Sequence, residues 1–226
     1  TDMGQNRALY EAYKNLRASS NFDSLNGEQK KVITNAMRDF RLSGIDLAKV
    51  EQEEFAELSK RLSDLMSTFN NNVLDATHAW TRLVSSASDL PGVPESLLES
   101  MQEAAKNKGF DGYLLTLDSP CYIAILTYCE DENTRKDLYV AYGTRASDRG
   151  PNAGEFDNSQ VIQDILKARL KQAQLLGFES FSELSVQKKM ARSTQQVLDF
   201  LCELGRQARP AASAELAEIE AFAAKV

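Results

Sequence analysis

Catalysis by a bound metal, by a thiolate or by a paired acid and base each needs particular side chains close together. His78 is the only histidine of the chain, and no HExxH stretch occurs. Metal-assisted hydrolysis needs two imidazoles on one helix face, a third ligand and a carboxylate base. His78 lies three residues after Asp75 and two before Trp80, and reads as a polar residue at a helix end or strand start. Cys121 and Cys129 flank an apolar run, and Cys202 sits on a stripe with Leu201 and Leu204. A reactive thiolate needs a histidine base or an electropositive setting, so all three read as buried structural thiols. Glu53-Glu54, Glu215 with Glu218, and Asp131-Glu132 read as solvated helix faces or caps. Gly150-Pro151-Asn152-Ala153-Gly154 lacks the Lys-Ser/Thr ending of a phosphate loop.

One set keeps two readings open. Tyr139, Tyr142 and Arg145 repeat at intervals of three. They either anchor a helix to its neighbours and hold the following loop, or present Tyr142 and Arg145 to a cleft where peptide carbonyls pass. Tyr142 and Arg145 are therefore the candidate substrate contacts.

These residues hang on a mostly helical text. Leu9, Ala12, Tyr13 and Leu16 share a face of a helix over 5–19, with no usual N-cap ahead of it. Asn26 and Gln29 have the spacing of a capping box, before a helix that ends at Gly44. Phe55, Leu58, Leu62, Leu65, Phe69 and Val73 mark a helix over 50–76, roughly 40 Å long at 1.5 Å per residue. Residues 80–84 and 113–117 read as two strands of an antiparallel ribbon around a helix that starts near Pro94. Residues 120–128 are expected to form a short buried helix. Asp131 caps the next, over 132–146. A polar loop follows, and Asn158 or Ser159 caps a helix ended by Gly177. Ser193, with Gln196 three residues on, starts another, which Pro210 breaks or restarts. The expected fold class is mainly α: long amphipathic helices with a small two-stranded antiparallel ribbon.

The whole is an ordinary globular composition, 42% hydrophobic and 26% charged over 226 residues. A net charge of −7 opposes nucleic acid and anionic membrane partners. No run approaches the roughly 20 apolar residues of a membrane span. The opening TDMGQNRALYEAYKNL lacks the basic leader and apolar block of a signal peptide, and three cysteines make no disulfide framework. Both points lead to an expectation of a cytoplasmic protein.

Several segments together resemble the thimet oligopeptidase and neurolysin family of zinc metallopeptidases. They are Asn71 to Thr77, Trp80 to Leu83, Gly112 to Leu117, Thr144 to Asp148, Gly150 to Gly154, and Gln174 to Phe178. The resemblance runs through essentially the whole chain in order. It implies two helical lobes around a narrow channel that admits short peptides, and a catalytic zinc held on an HExxH helix and a downstream glutamate. Neither is in this sequence, so no catalytic or zinc-binding residue is carried onto any position of it. Residues 1–226 are expected to be one helical region, the wall of the channel, with both ends read as excerpts. The implied partners are short peptides and the HExxH-containing half of the same protein. Zinc belongs to the parent enzyme; this chain alone is expected to bind none and to be inactive. The alternative is a stand-alone helical scaffold or peptide-binding module without catalysis.

Overall fold

The computed structural model describes residues 2–225, and its chain falls into two compact units. The first is residues 1–59 with 169–226, and the second is residues 60–168. In chain order the elements are α1 (Arg7–Ala18), α2 (Ser20–Asp23), α3 (Gly27–Leu42), α4 (Lys49–Ala79), β1 (Thr81–Val84), α5 (Glu95–Asn107), β2 (Tyr113–Thr116), α6 (Ser119–Tyr128), α7 (Glu132–Gly143), α8 (Ser159–Leu175), α9 (Phe181–Val186) and α10 (Thr194–Ala223). The mainly helical class with one antiparallel ribbon is what the sequence patterns predict.

In the first unit, α1 and α3 close a small core of Tyr10, Ile33, Met37, Phe40 and Ile45. The rings of Tyr10 and Phe40 lie 5.5 Å apart, within the range where tilted aromatic pairs attract. The Tyr10 hydroxyl donates to Asp46 at 2.8 Å, so its polar end is satisfied as its ring is buried. The predicted capping box is present in both directions: Gln29 N–H donates to Asn26 Oδ1 at 2.8 Å, and Asn26 N–H to Gln29 Oε1 at 3.1 Å. Gly44 ends α3 at φ 82°, a left-handed conformation open to glycine. It lets the Gly44 and Ile45 N–H groups turn back to Arg41 and Phe40 carbonyls. Late in the chain, Lys171 pairs with Glu54 at 3.4 Å and Gln172 donates to Ser59 at 3.0 Å.

Several expectations are corrected. α1 does have an N-cap, Asn6, whose Oδ1 accepts from Leu9 N–H at 3.0 Å. Pro210 neither breaks nor restarts α10, which runs through it. Pro210 leaves one backbone carbonyl without its helical partner. That group faces water on an exposed helix, and alanines at 208, 211 and 212 hold the helical conformation. Cys202 is exposed rather than buried, because no residue of α10 is buried. Asn158 does not turn its side chain to capping α8; Asp157 instead accepts from Ser159 N–H at 2.8 Å.

In the second unit, β1 and β2 pair antiparallel, Thr81 opposite Thr116 and Val84 opposite Tyr113. The core beneath them joins Val84, Leu90, Val93, Met101, Leu115, Ile125, Cys129 and Leu138. The helix over 119–128 is only half inside: Ala124 and Ile125 are buried, while Ile123 is 60% exposed. Its apolar text hides this, since nearly every position is apolar and no stripe marks the buried side. Gly112, at φ 120°, passes so close to Val84 that a Cβ there would stand 2.5 Å from the Val84 carbonyl oxygen.

Candidate functional site

The pair singled out by spacing does come together. Asp131 starts α7 by accepting from Thr134 N–H at 2.8 Å. Helical turns then place Tyr142 on the last turn of α7 and Arg145 just past it. The Arg145 guanidinium lies 3.5 Å from the centroid of the Tyr142 ring. On its other face Tyr142 stacks on Tyr122 of α6, with centroids 4.0 Å apart and planes 18° apart. Arg145 Nε donates to the Tyr142 carbonyl at 2.9 Å, and Nη1 donates to Thr77 Oγ1 of α4 at 2.9 Å. A cation over one face of a stacked pair, fixed by two hydrogen bonds, is a stiff arrangement. Tyr139 is not part of it and stands 66% exposed. Partial desolvation pushes the Tyr122 phenol above its ordinary value, Tyr142 and Tyr139 add to this, and Arg145 opposes it. Nothing local in the sequence ties positions 77, 122 and 142 to one another, so Tyr122 and Thr77 carry no sequence signal of their place in this arrangement.

The loop after Arg145 is folded on itself. Ala146 has φ 51°, uncommon for a residue with a Cβ. The carbonyls of Ala146 and Ser147 accept from Asn158 and Gly154 N–H at 3.0 and 3.1 Å. Its far end is pinned to α4: Asn158 is buried, accepts from Asn72 Nδ2 at 2.9 Å, and donates to the Phe69 carbonyl at 3.1 Å.

Two hollows flank this region of the second unit. A groove of about 460 Å³ is lined by Trp80, Thr81 and Arg82 on one side and Lys136, Asp137, Val140 and Pro151 on the other. Arg82 Nη1 and Asp137 Oδ2 meet across it at 2.8 Å. A mostly apolar hollow of about 250 Å³ lies between α5, β2 and α6 and includes Cys121, Met101 and Leu114. Burial pushes the Cys121 thiol above its ordinary value; hydrogen bonding from Thr116 opposes this and the Asp118 charge adds to it.

His78 is exposed on the last turn of α4. Among the described residues no three His, Cys, Asp or Glu side chains gather into a set that could hold a metal ion. The residues present do not fit the zinc that the family resemblance implies. Among the described residues no helix is long and apolar enough to cross a membrane.

Comparison with known proteins gives this arrangement its setting. Residues 125–226 match the model of peptidase family M3, and residues 1–54 match that of the neurolysin/thimet oligopeptidase N-terminal domain. The chain is 50% identical over 223 residues to oligopeptidase A of Escherichia coli (strain K12), covering 99% of this chain and 33% of that protein. It is 47% identical over 225 residues to oligopeptidase A of Haemophilus influenzae, covering 100% and 33%. With the probable cytosolic oligopeptidase A of Arabidopsis thaliana it shares 34% over 213 residues, covering 91% and 29%. The chain spans about a third of the length of the curated relatives it matches. The two family matches and half-identity across nearly every residue agree: the chain belongs to peptidase family M3.

Proposed function

We propose that this chain is the channel-forming portion of a cytoplasmic zinc metallopeptidase that hydrolyses short peptides, with the metal and its ligands in a part of the protein outside it. The reading is carried by the 50% identity to a protein named oligopeptidase A across 99% of the chain. Within that reading this chain selects and places the peptide and does not activate water. Arg145 has donors beyond those given to the Tyr142 carbonyl and Thr77, since a guanidinium carries five N–H groups. The remaining ones meet peptide carbonyls, while the stack on Tyr142 and Tyr122 fixes where they point.

The test is reassembly. E. coli oligopeptidase A lacking the third that this chain matches is made separately and mixed with the chain. The expected result is no turnover of quenched fluorescent peptides by the chain alone, and zinc-dependent turnover on mixing. Turnover by the purified chain alone sinks the proposed division. A chain that neither binds the remaining two-thirds nor restores turnover favours the stand-alone module.

A further inference from the structure

The free edge of β1 has an open hydrogen-bonding pattern. Thr116 N–H leaves the ribbon to meet Cys121 Sγ of α6 at 3.3 Å, so it points away from β1. In an antiparallel pair, opposed residues alternate between exchanging both main-chain bonds and exchanging none. Thr116 stands opposite Thr81, and Leu114 opposite Leu83; these are the non-exchanging pairs. The N–H and C=O groups of Thr81 and Leu83 therefore point outward from β1. Among the described residues β1 pairs with β2 alone, and neither residue has a main-chain hydrogen bond outside the ribbon. Both side chains are exposed. Two donors and two acceptors in strand register are a template for another strand.

The groove beside Trp80, Thr81 and Arg82 gives that template a wall of α7. Asp137 cancels the charge of Arg82. Lys136 is exposed on the same wall and makes no ion pair among the described residues, so the lining of the groove holds two cations and one carboxylate. The half-buried Trp80 ring adds apolar surface at one end.

We propose that the free edge of β1 is a docking site for a short, extended, acidic peptide, which adds as a third strand and sets a carboxylate against Lys136. In strand addition the main-chain bonds supply affinity and alternate side chains supply selectivity. The proposal rests on the peptide-handling reading above and assigns a place on this chain to the peptide. The occupant is an acidic peptide rather than a second copy of β1 because β1 itself, Thr81–Val84, carries no carboxylate to set against Lys136.

The experiment uses the isotope-labelled chain and amide hydrogen exchange read by NMR. The probe is a hexapeptide of alternating valine and threonine ending in glutamate, blocked at both ends and titrated to about 2 mM. The expected result is exchange slowed about tenfold at Thr81 and Leu83, with Arg82 and Val84, already in the ladder, unchanged. N-methylation of the probe at alternate residues on its pairing edge abolishes this, and Lys136→Glu weakens binding about fivefold. Binding without protection of Thr81 and Leu83 overturns the edge assignment and leaves the peptide reading standing. No binding overturns the proposal as well. Protection that appears without probe and grows with protein concentration overturns it in favour of pairing between copies of the chain.

Discussion

Asn72 and Asn158 are 86 positions apart in sequence, yet Nδ2 of the first donates to Oδ1 of the second at 2.9 Å. The same Asn158 amide donates to the Phe69 carbonyl, so one buried side chain fixes the end of the 146–158 loop to α4. Removing it strands the Asn72 amide. Asn158→Ala should lower stability by about 2–3 kcal/mol. Urea denaturation measures this, and a cycle with Asn72→Ala should show coupling of about 1 kcal/mol. A loss below about 0.5 kcal/mol would mean that water replaces the clasp.

Arg145 stacks on Tyr142 and bonds Thr77. Lysine keeps the charge and loses the planar fork. Arg145→Lys should cost about 1–2 kcal/mol in a thermal melt of the chain. In the reassembled peptidase it should also raise KM more than it lowers kcat, if peptide carbonyls meet this side chain. An unchanged melt would show that the stack contributes nothing to holding the loop.

The patterns that depend on neighbours in sequence were legible, and those that depend on distant ones were not. Asn26 and Gln29 announce a capping box because both partners lie within one turn. The long helix announces itself through a stripe from Phe55 to Val73, and the ribbon through Thr81–Val84 and Tyr113–Thr116. The pairing of Asn158 with Asn72 leaves no local trace, which is why a cap was the natural expectation for it. Cys202 lies on an apolar stripe, but a stripe reports which face of a helix is apolar, not whether anything covers it. Proline removes a helical donor, so Pro210 signals a break or a restart; an exposed helix with alanines around that position tolerates the loss. Tyr142 and Arg145 were legible as a pair, while the third member of the stack, Tyr122, was not.

The three thiols should react in order of exposure. Cys202 is exposed, Cys121 half-buried and Cys129 buried. Iodoacetamide at neutral pH should label Cys202 first. Burial raises the Cys121 pKa, so its labelling should climb only above the pH at which a free cysteine ionises. The same shift favours the folded state while the thiol is protonated, and this contribution is lost as pH rises through the raised folded pKa. Mass spectrometry of timed digests gives the order; early labelling of Cys129 would contradict it.

Hydrogen bonding from the Thr134 side chain, and then from its backbone N–H, holds the Asp131 carboxyl below the usual carboxylate range. Ser159 does the same for Asp157, again through its side chain first. Both groups have lowered folded pKa values. Their contribution is therefore present above the ordinary carboxylate pKa of about 4 and is lost as pH falls through the folded value. Asp131→Asn should lower the melting temperature at pH 7 and flatten its decline between about pH 5 and pH 3. An acid limb identical to that of the unsubstituted chain would exclude Asp131 as a contributor.

The ribbon also sets an order of assembly. Thr81 must meet Thr116 across the segment that holds all of α5. Two four-residue strands gain too little alone to offset closing so long a loop. Val84 and Leu115 of the strands share one core with Met101 of α5 and Ile125 of α6. Pairing and helix docking must then arrive together, in a single late and cooperative step of folding, so that slowing the formation of α5 slows the zipping of strands that never include it.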